Sequence, residues 1–491
     1  MIQAVVGSGG KTTYIKRQAE YFRQQGLKVF VTTSTHMYIE ENTLLTDDAD
    51  EIIRELNEKH YVMAGVEEKN EKRHVVGDRA EDMVSNTGDL KPGKIRALST
   101  ETYKKVCEYA DVVLVEADGS KGMPLKFPAE HEPVIYENMD EIVVVCGLHA
   151  LGKPLKNTAH RLELVLRCLN EENDVTPETL VTAQHIQKLI RKGYVESLKK
   201  EFPDKSIKIK TSHNDSLYQR VIAKLLEADI DVSLVKEEWF ASQPRLVVCG
   251  GGHVAKELVV MASCLDFYIK VIDDREEFAN KERFPMADEI ICDKFENLKN
   301  YLEPNGYYVV VTRGHAADYD CVKTILNHGS YEYLGMIGSK LKVNTCMERL
   351  QDEGYSDAQI QSIFAPIGLK IKANTPAEIA VSILAQIIQE KNSKSSSYVS
   401  RELLEVNEPG VLCIIIEKEG SSPRGVGSMM FVSESGILDS IGGGIVEYAA
   451  VQDAKKVTGV TIKEYHLNNK TSEQLGMICG GSNKVLFVPL T

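Results

Sequence analysis

Three features are missing from this sequence of 491 residues, and each absence excludes a class of protein. None of its ten cysteines stands in a Cys-x-x-Cys pair, so the sequence offers no zinc-ribbon or thioredoxin-like motif. No uninterrupted apolar run approaches the roughly 20 residues that cross a bilayer. Positive charge is in deficit, since the net charge is -14. A protein with this charge would repel a phosphate backbone. We therefore expect neither nucleic acid nor a membrane as a partner.

The remaining composition is that of an ordinary globular protein. Of all residues, 43% are hydrophobic and 26% are charged, and a chain of this length is expected to form roughly three domains. An apolar strand pattern begins almost at once, which leaves no room for a signal peptide. Because scattered cysteines suit a reducing compartment, we expect a cytoplasmic protein.

Two series of alternating strand and helix patterns predict an α/β fold. The first series has buried parallel strands at 2–6, 28–33, 111–115 and 141–146. We predict that a P-loop-type domain with a parallel sheet occupies residues 1–236. Its part after residue 170 reads as mostly polar and helical, and we assign that part no role.

The second series predicts a Rossmann-like domain over residues 243–391. Its strand patterns lie at 245–249, 268–272, 289–292, 307–312 and 333–337. A serine-rich stretch at 392–397 reads as a flexible linker. Residues 398–491, which are rich in glycine, predict a small α/β module.

The first of two glycine loops has the composition of a phosphate-binding loop. A nucleoside triphosphate site needs converging backbone N–H groups, a helix N-terminus, a lysine and a hydroxyl for Mg²⁺. The predicted nucleotide-binding residues are Gly7, Ser8, Gly9, Gly10, Lys11, Thr12 and Thr13. Their spelling, G-x-x-G-K-T-T, resembles the shorter loop of the Mur ligases. The alternative is a glycine turn with a chance lysine.

Two acidic residues follow a neighbouring apolar strand. Glu116 and Asp118 come directly after the pattern at 111–115, as in a Walker-B-like element, and with Thr12 they would hold Mg²⁺. The alternative is a solvated acidic loop. Hydroxyls at residues 32–35 end another strand, where they would either line the cleft or cap helices.

Several segments around these acids resemble the YqeC family. They are VEADGSKG at 115–122, PLK at 124–126, PAEHEPVI at 128–135, GL at 147–148, LGKPL at 151–155 and HR at 160–161. The resemblance covers about residues 1–170. It implies an accessory or cofactor-maturation factor for selenium-dependent molybdenum hydroxylases, with an inferred nucleotide site and an unspecified reaction.

The second glycine loop predicts a Rossmann-like site for a pyrophosphate-sized anion. Gly250, Gly252 and Ala255 match G-x-G-x-x-[GA], and two aspartates close the next strand, where a ribose-binding carboxylate belongs. Such a fold does not by itself specify a dehydrogenase. The predicted cofactor-binding residues here are Gly250, Gly251, Gly252, His253, Asp273, Arg313 and His315.

The histidines of this domain are expected to face one crevice, because strand-end loops of a parallel sheet converge. His253 and His315 would then contact the same ligand, or each would be an isolated loop histidine bonded to backbone. Asp318 would either orient His315 or cap the next helix.

This stretch resembles the Rossmann domain of the XdhC/CoxI family. The resemblance rests on GGGHVA at 250–255, TRGHA at 312–316, GMIGSK at 335–340, APIGL at 365–369 and TPAEIA at 375–380. The family usually continues with Asp-Ile-Gly, where this chain has Lys-Ile-Lys at 370–372.

The C-terminal module resembles the other half of XdhC/CoxI, which usually precedes the Rossmann domain. The matching segments are GSSPR at 420–424, SIGGGIVE at 440–447 and MICGG at 477–481. The glycines Gly442, Gly443 and Gly444 would form an anion nest or only a tight turn, and Arg424 would bind phosphate. Cys479 would carry sulfur or contact a soft metal, or it would be a buried structural thiol. The resemblance implies that both modules bind molybdenum cofactor and help to load or sulfurate it.

The leading hypothesis is an accessory factor for maturation or insertion, by sulfuration or selenation, of the molybdenum cofactor of a xanthine-dehydrogenase-type hydroxylase. The N-terminal domain would bind an NTP with Mg²⁺, as an NTPase or nucleotide-dependent transferase. The later domains would act as a chaperone for the pterin cofactor. Candidate catalytic residues are Cys479, His253 and His315. Expected partners are the hydroxylase apoenzyme and a sulfur or selenium donor protein, and a homo-oligomer is left open.

Two other hypotheses stay open. The first is an NAD(P)-dependent oxidoreductase fused to a P-loop kinase or ligase, although the sequence offers no Tyr-x-x-x-Lys or comparable proton donor. The second is a scaffold whose loops bind no ligand.

Overall fold

A computed structural model describes residues 1–68, 93–170, 174–265, 267–393, 398–420, 424–467 and 481–490. The side chains of Ser242, His315, Tyr398 and Leu467 are also outside this description. Among the described helices, none combines the length and the apolarity needed to cross a bilayer.

The first unit is built on a sheet to which nine of its described strands belong. Its strands are β1 (Ile2–Gly7), β2 (Val29–Thr33), β3 (His36–Tyr38), β4 (Thr43–Leu45), β5 (Tyr61–Glu67), β6 (Lys94–Arg96), β7 (Val112–Glu116), β8 (Leu125–Lys126), β9 (Glu141–Gly147), β10 (Ala159–His160) and β11 (Ser206–Ser212). Its helices are α1 (Lys11–Gln24), α2 (Ala49–Lys59), α3 (Thr100–Cys107), α4 (Leu155–Thr158), α5 (Leu162–Leu169), α6 (Ala183–Ile190), α7 (Glu196–Glu201) and α8 (Leu217–Glu227).

The strand order of this sheet is β11-β9-β1-β7-β2-β5-β6-β3, with β4 paired to β5. Neighbours from β11 to β5 run parallel, and β6 pairs antiparallel at the far edge. The central strands β1, β7 and β9 are almost wholly buried, as expected for apolar runs covered by helices on both faces. The loops after β1, β7, β9 and β11 therefore meet at one edge of the sheet.

The segment after residue 170, predicted as mostly polar and helical, is part of this sheet and its core. β11 pairs in parallel with β9 over its whole length. Ile186 and Leu189 of α6, and Val221 and Leu225 of α8, are buried in the same hydrophobic cluster as the central strands. Overall polarity misleads here because amphipathic helices bury one face and expose the other.

The second unit is a parallel sheet with the order β15-β14-β13-β16-β17-β18. A short strand, β12 (Ala241–Ser242), leads into it. Its own strands are β13 (Arg245–Cys249), β14 (Tyr268–Asp273), β15 (Glu289–Cys292), β16 (Gly306–Val310), β17 (Tyr331–Met336) and β18 (Ile363–Phe364). Its helices are α9 (His253–Ala262), α10 (His315–His328), α11 (Lys340–Asp352), α12 (Asp357–Gln361) and α13 (Pro376–Ser393). The chain reverses direction across the sheet at β13 and β16, the switch point where ligands bind in such folds.

The third unit is an antiparallel sheet with the order β22-β21-β20-β24-β23. Its strands are β19 (Tyr398–Val399), β20 (Gly410–Gly420), β21 (Met429–Ser433), β22 (Ile437–Asp439), β23 (Thr461–Leu467) and β24 (Gly481–Leu490), and its helices are α14 (Arg401–Leu404) and α15 (Gly444–Ala454). These three units confirm the predicted fold class: a P-loop-type parallel sheet, a Rossmann-like domain and a small α/β module.

The third unit packs on the first, although the second separates them in sequence. Leu412, Phe431 and Leu486 belong to the hydrophobic cluster that contains Val221 of α8. The Arg220 guanidinium donates to the carbonyl oxygen of Val406 across this interface. The Rossmann sheet has separate hydrophobic clusters on its two faces.

The Rossmann unit begins and ends at one point, because β12 pairs in parallel with β19. This pair stands directly before β13, at the N-terminal edge of the Rossmann sheet, whereas the glycine loop follows β13 at the opposite edge. The Rossmann unit is thus inserted in sequence between two units that share a hydrophobic core.

Candidate functional site

The loop between β1 and α1 requires glycine at three positions. Gly7, Gly9 and Gly10 have φ values of 95°, 70° and 142°, which side chains rarely adopt. A Cβ at Gly7 would overlap the carbonyl oxygen of Val145, and one at Gly9 would lie 2.8 Å from the Cα of Gly147. Gly10 is the N-cap of α1, and no described side chain caps that helix. The first backbone N–H groups of α1 are therefore available to an anion.

Lys11 lies buried between this loop and two acids at the end of β7, Glu116 and Asp118. Its Nζ donates to the carbonyl oxygen of Gly7 at 2.7 Å and lies 3.2 Å from Oδ1 of Asp118 and 3.8 Å from Oε1 of Glu116. Asp118 is fully buried, and its Oδ2 accepts from the Gly7 N–H and the Tyr194 hydroxyl. The carboxylate thus holds both the lysine and the start of the loop.

Glu116 has an unusual protonation equilibrium. Burial raises its pKa to about 7, against the opposing influence of Lys11 and a hydrogen bond with Thr12. Oε2 of Glu116 and Oδ1 of Asp118 are buried and accept no hydrogen bond from the described residues. Carboxylate oxygens of this kind are the ligands that Mg²⁺ prefers. The structure thus brings together the predicted residues Thr12, Glu116 and Asp118, whereas Thr13 is exposed.

Other hydroxyls that sequence reasoning placed near the cleft hold the backbone together. Thr32 donates to the carbonyl oxygen of Ala64, and Thr33 donates to that of Glu116. The Ser8 hydroxyl donates to the carbonyl oxygen of Pro124 at 2.9 Å, which fixes the loop after β7 against the glycine loop.

Sequence reasoning missed three residues on the other side of the loop. The Ser212 hydroxyl, at the end of β11, donates to the carbonyl oxygen of Gly9. The ring of His213 lies 4.2 Å from that of His149, which follows β9. Burial, followed by the nearby His213, lowers the pKa of His149. The alternation of Ile207 and Ile209 before a polar loop was the available signal for β11.

The Rossmann glycine loop has two crowded positions and one open position. A Cβ at Gly250 would lie 2.5 Å from the carbonyl oxygen of Val311, and one at Gly251 would overlap that of Phe278. A Cβ at Gly252 would meet no atom within 4 Å. Gly252 is the N-cap of α9, which no described side chain caps, so a ligand can approach the helix there.

Asp273, predicted to bind a ribose, instead secures the loop. It is buried, and its carboxylate accepts from the Gly251 N–H at 2.6 Å and from Nε and Nη2 of Arg275 at 2.9 and 3.0 Å. Burial pushes the pKa of Asp273 upward, but the hydrogen bonds from Arg275 and Gly251 outweigh it and lower the pKa. The partly exposed carboxylate at this strand end is that of Asp274, which pairs with Arg313 at 3.1 Å.

The remaining Rossmann residues lie at the same edge of the sheet. His253 is exposed at the first position of α9, and Arg313 is exposed beside Asp274. His315 begins α10, and its side chain is outside the description. Asp318 is buried and bonds with the backbone and hydroxyl of Thr312 and with Lys342.

The glycine turn of the third unit already contains a carboxylate. Gly442, Gly443 and Gly444 have φ values of 121°, 70° and 71°. Oε2 of Glu447, on α15, accepts from the N–H groups of Ile441 and Gly443 at 3.2 and 3.0 Å. An external anion would have to displace this side chain. Arg424 is exposed, and Cys479 lies outside the described residues.

Three family models match successive parts of the chain. The model described as YqeC protein matches residues 3–163, XdhC Rossmann domain matches 246–387, and XdhC and CoxI family matches 403–464. This α/β protein with its two glycine loops is therefore a multidomain relative of those families. The chain is a fusion of a YqeC-like domain with XdhC/CoxI-family domains, and this confirms the resemblance seen in the sequence.

Individual relatives match one part of the chain each. YqeB of Escherichia coli (strain K12) is 28% identical over 192 residues, which are 38% of this chain and 34% of that protein. YqeC of the same organism is 30% identical over 161 residues, or 32% and 56%. A probable xanthine dehydrogenase subunit of Bacillus subtilis (strain 168) is 28% identical over 149 residues, or 30% and 43%. The matches thus span between about a third and just over half of these relatives.

Proposed function

We propose that this chain is an accessory factor for the maturation or insertion of the molybdenum cofactor of a xanthine-dehydrogenase-type hydroxylase. Support comes from the succession of YqeC and XdhC/CoxI matches along one chain. A relative named as a probable xanthine dehydrogenase subunit suggests the class of partner. The expected partners are the hydroxylase apoenzyme and a sulfur or selenium donor protein, so the proposal includes both sulfuration and selenation.

The observation that carries the nucleotide part of the proposal is the buried Glu116 carboxylate beside Lys11, whose Oε2 accepts no hydrogen bond from the described residues. In this proposal, the N–H groups after Gly10 and the Lys11 ammonium bind the phosphates of an NTP. Thr12, Glu116 and Asp118 hold Mg²⁺, which neutralises phosphate charge when bound. The residues present fit such a group, because they supply oxygen ligands and a glycine cradle that any Cβ would fill.

The pterin part of the proposal rests on the Rossmann loop. Gly252 and the uncapped N-terminus of α9 would receive a phosphate of the cofactor, with Asp274 and Arg313 at the rim. His253, His315 and Cys479 are proposed to lie near its metal end. Arg424 and the turn at Gly442 to Gly444 are proposed as a further contact, which requires Glu447 to move.

The test is to purify the full chain from cells that make molybdenum cofactor, and to measure bound molybdenum and the fluorescence of oxidised pterin. Wild-type protein should carry pterin, and Gly252→Asp should carry none, because its carboxylate would repel phosphate. Gly459→Asp is the matched control, since a Cβ there also meets no atom within 4 Å. Pterin-free wild-type protein, or pterin retained by Gly252→Asp, would contradict the proposal.

The oxidoreductase alternative draws on one observation. Asp274 directly follows β14 and has a partly exposed carboxylate, at the place where a dinucleotide ribose would be bound. Titration of the same preparations with NADH decides between the two: binding of NADH that Asp274→Ala abolishes would favour the oxidoreductase.

A further inference from the structure

A line of buried charges connects the phosphate-binding loop with a second group of cations. Asp118 lies between Lys11, at 3.2 Å, and Lys126, at 3.3 Å. Lys126 also pairs with Glu132 at 2.7 Å, and Glu132 accepts from both terminal nitrogens of Arg161. The parallel pairing of β8 with β10 sets Lys126 beside His160 in register. Residues up to 161 are thereby brought to the acids of the nucleotide site.

This second group has more positive than negative charge. Burial pushes the pKa of Glu132 upward, but hydrogen bonds from Arg161 and Lys126 outweigh it and lower the pKa to about 2, so this carboxylate is ionised and shared by two cations. Lys121 is exposed and forms no ion pair within the described parts of the chain. Lys126 and Arg161 share Glu132, and Lys121 adds a further positive charge in a chain whose net charge is -14.

His160 stands among these cations. It is half-buried, and burial, followed by the charges of Arg161, Lys126 and Lys121, lowers its pKa. Its imidazole is therefore neutral near pH 7 and able to form hydrogen bonds with an anionic ligand in either direction.

The backbone also holds two of these residues in an unfavourable conformation. Lys121 and Arg161 have φ values of 50° and 57°. Non-glycine residues rarely adopt this conformation, and such strain concentrates at binding sites. Lys121 lies three residues after Asp118, in the same loop.

We propose that Lys121, His160 and Arg161 form a second anion-binding site of the N-terminal domain, which receives a phosphate or carboxylate group of a co-substrate. Describing the ligand as a co-substrate rests on the proposed nucleotide site, whereas the anion site itself does not. The two sites share the Asp118–Lys126 ion pair, so the two ligands would lie next to each other. The domain would then act on two substrates, rather than only hydrolyse a nucleotide.

The test is calorimetric titration of the full chain with inorganic phosphate, and separately with acetate, at constant ionic strength and with the glycine loop saturated with MgADP. Apart from any phosphate bound at the Rossmann loop, which Gly252→Asp should remove, one anion should bind at a single site. Lys121→Asn should weaken its binding at least fivefold, and asparagine tolerates the left-handed backbone of this position. His160→Gln should also weaken binding. Lys104→Gln, which alters another exposed lysine of the same domain, should bind as the wild type does.

Binding of neither anion, or equal binding by the wild type, Lys121→Asn and His160→Gln, would overturn the proposal. If MgADP itself fails to bind, the proposed nucleotide site is wrong. The anion site is then decided by the same titration in the Lys11→Met background, where the glycine loop has lost its own cation. Phosphate binding there that still depends on Lys121 would support the anion site alone.

Discussion

The two glycine loops follow the same local plan and become different sites. Each joins a buried strand to a helix whose N-terminus has no side-chain cap. In the first loop, Oε2 of Glu116 accepts no hydrogen bond from the described residues, and Oδ1 of Asp118 faces the Lys11 ammonium at 3.2 Å. In the second loop, both carboxylate oxygens of Asp273 already accept hydrogen bonds, from Arg275 and from the Gly251 N–H.

The difference is electrostatic and shows in the direction of the pKa shifts. Burial raises the pKa of Glu116 to about 7, whereas hydrogen bonds outweigh burial and lower the pKa of Asp273. A carboxylate oxygen that accepts no hydrogen bond can bind a metal ion. A carboxylate whose oxygens already accept hydrogen bonds instead holds the backbone in place. We therefore expect an anion site in both places, and we propose the Mg²⁺ site only at the first loop.

The largest effect should come from removing the cation of the first loop. Lys11→Met leaves Glu116 and Asp118 buried without their closest lysine, which should destabilise the first unit by about 3 kcal/mol and abolish binding of MgATP or MgGTP. Thermal unfolding and calorimetry measure the two effects. Lys16→Met, on the exposed side of the same helix, should change stability by less than about 1 kcal/mol. Unchanged nucleotide binding by Lys11→Met would remove the distinction between the loops.

Removal of the Asp273 carboxylate should lower the stability of the Rossmann unit. Asp273→Ala leaves the Gly251 N–H and Arg275 without their acceptor, and should cost roughly 2–3 kcal/mol in the unfolding of the Rossmann unit. Asp274→Ala removes only a partly exposed ion pair and should cost about 0.5 kcal/mol. Equal effects of both substitutions in thermal unfolding would contradict the role given to Asp273.

The pH dependence of this contribution has a definite sign. Because the folded pKa of Asp273 lies below its ordinary value, its contribution is complete above the unfolded pKa of about 4 and disappears as the pH falls through the folded value. The stability difference between wild type and Asp273→Ala should therefore shrink only under acid conditions.

A smaller effect should separate the positions within the second loop. Gly251→Ala places a methyl group against the carbonyl oxygen of Phe278 and should destabilise the Rossmann unit by about 1–3 kcal/mol. Gly252→Ala meets no atom within 4 Å and should leave the melting temperature unchanged. A lower melting temperature for Gly252→Ala alone would show that the open position is misassigned.

The smallest effect concerns protons at the first loop. Because the proposed Mg²⁺ site uses the ionised form of Glu116, whose pKa is raised to about 7 by burial, the affinity for MgATP should fall by up to about tenfold for each pH unit below 7. It should level off above pH 7. Glu116→Gln should bind more weakly and lose this slope in calorimetric titrations between pH 5.5 and 8. A slope that persists in the variant would assign the proton to another group.

Much of the fold was readable because local patterns carry it. Buried parallel strands such as β1 and β13 are continuous apolar runs, and glycine loops follow them directly. β11 was not recognised, because its alternating pattern is that of an edge strand and its neighbours are amphipathic helices. The packing of the third unit on α8 joins residues more than 180 positions apart, as in the Arg220–Val406 bond, and no local window contains it.

The sequence alone determined where the two loops lie, which strands precede them, and that Lys11, Glu116 and Asp118 would meet at one sheet edge. Only the tertiary structure decided which backbone N–H groups of the loops already donate to a side chain. Asp118, Asp273 and Glu447 each accept a backbone N–H of the glycine loop beside them, whereas Oε2 of Glu116 accepts no hydrogen bond from the described residues. The physical reason is that a carboxylate can bind a further ligand only if packing brings no donor within hydrogen-bond distance of its oxygens. Most of these donors are distant in sequence.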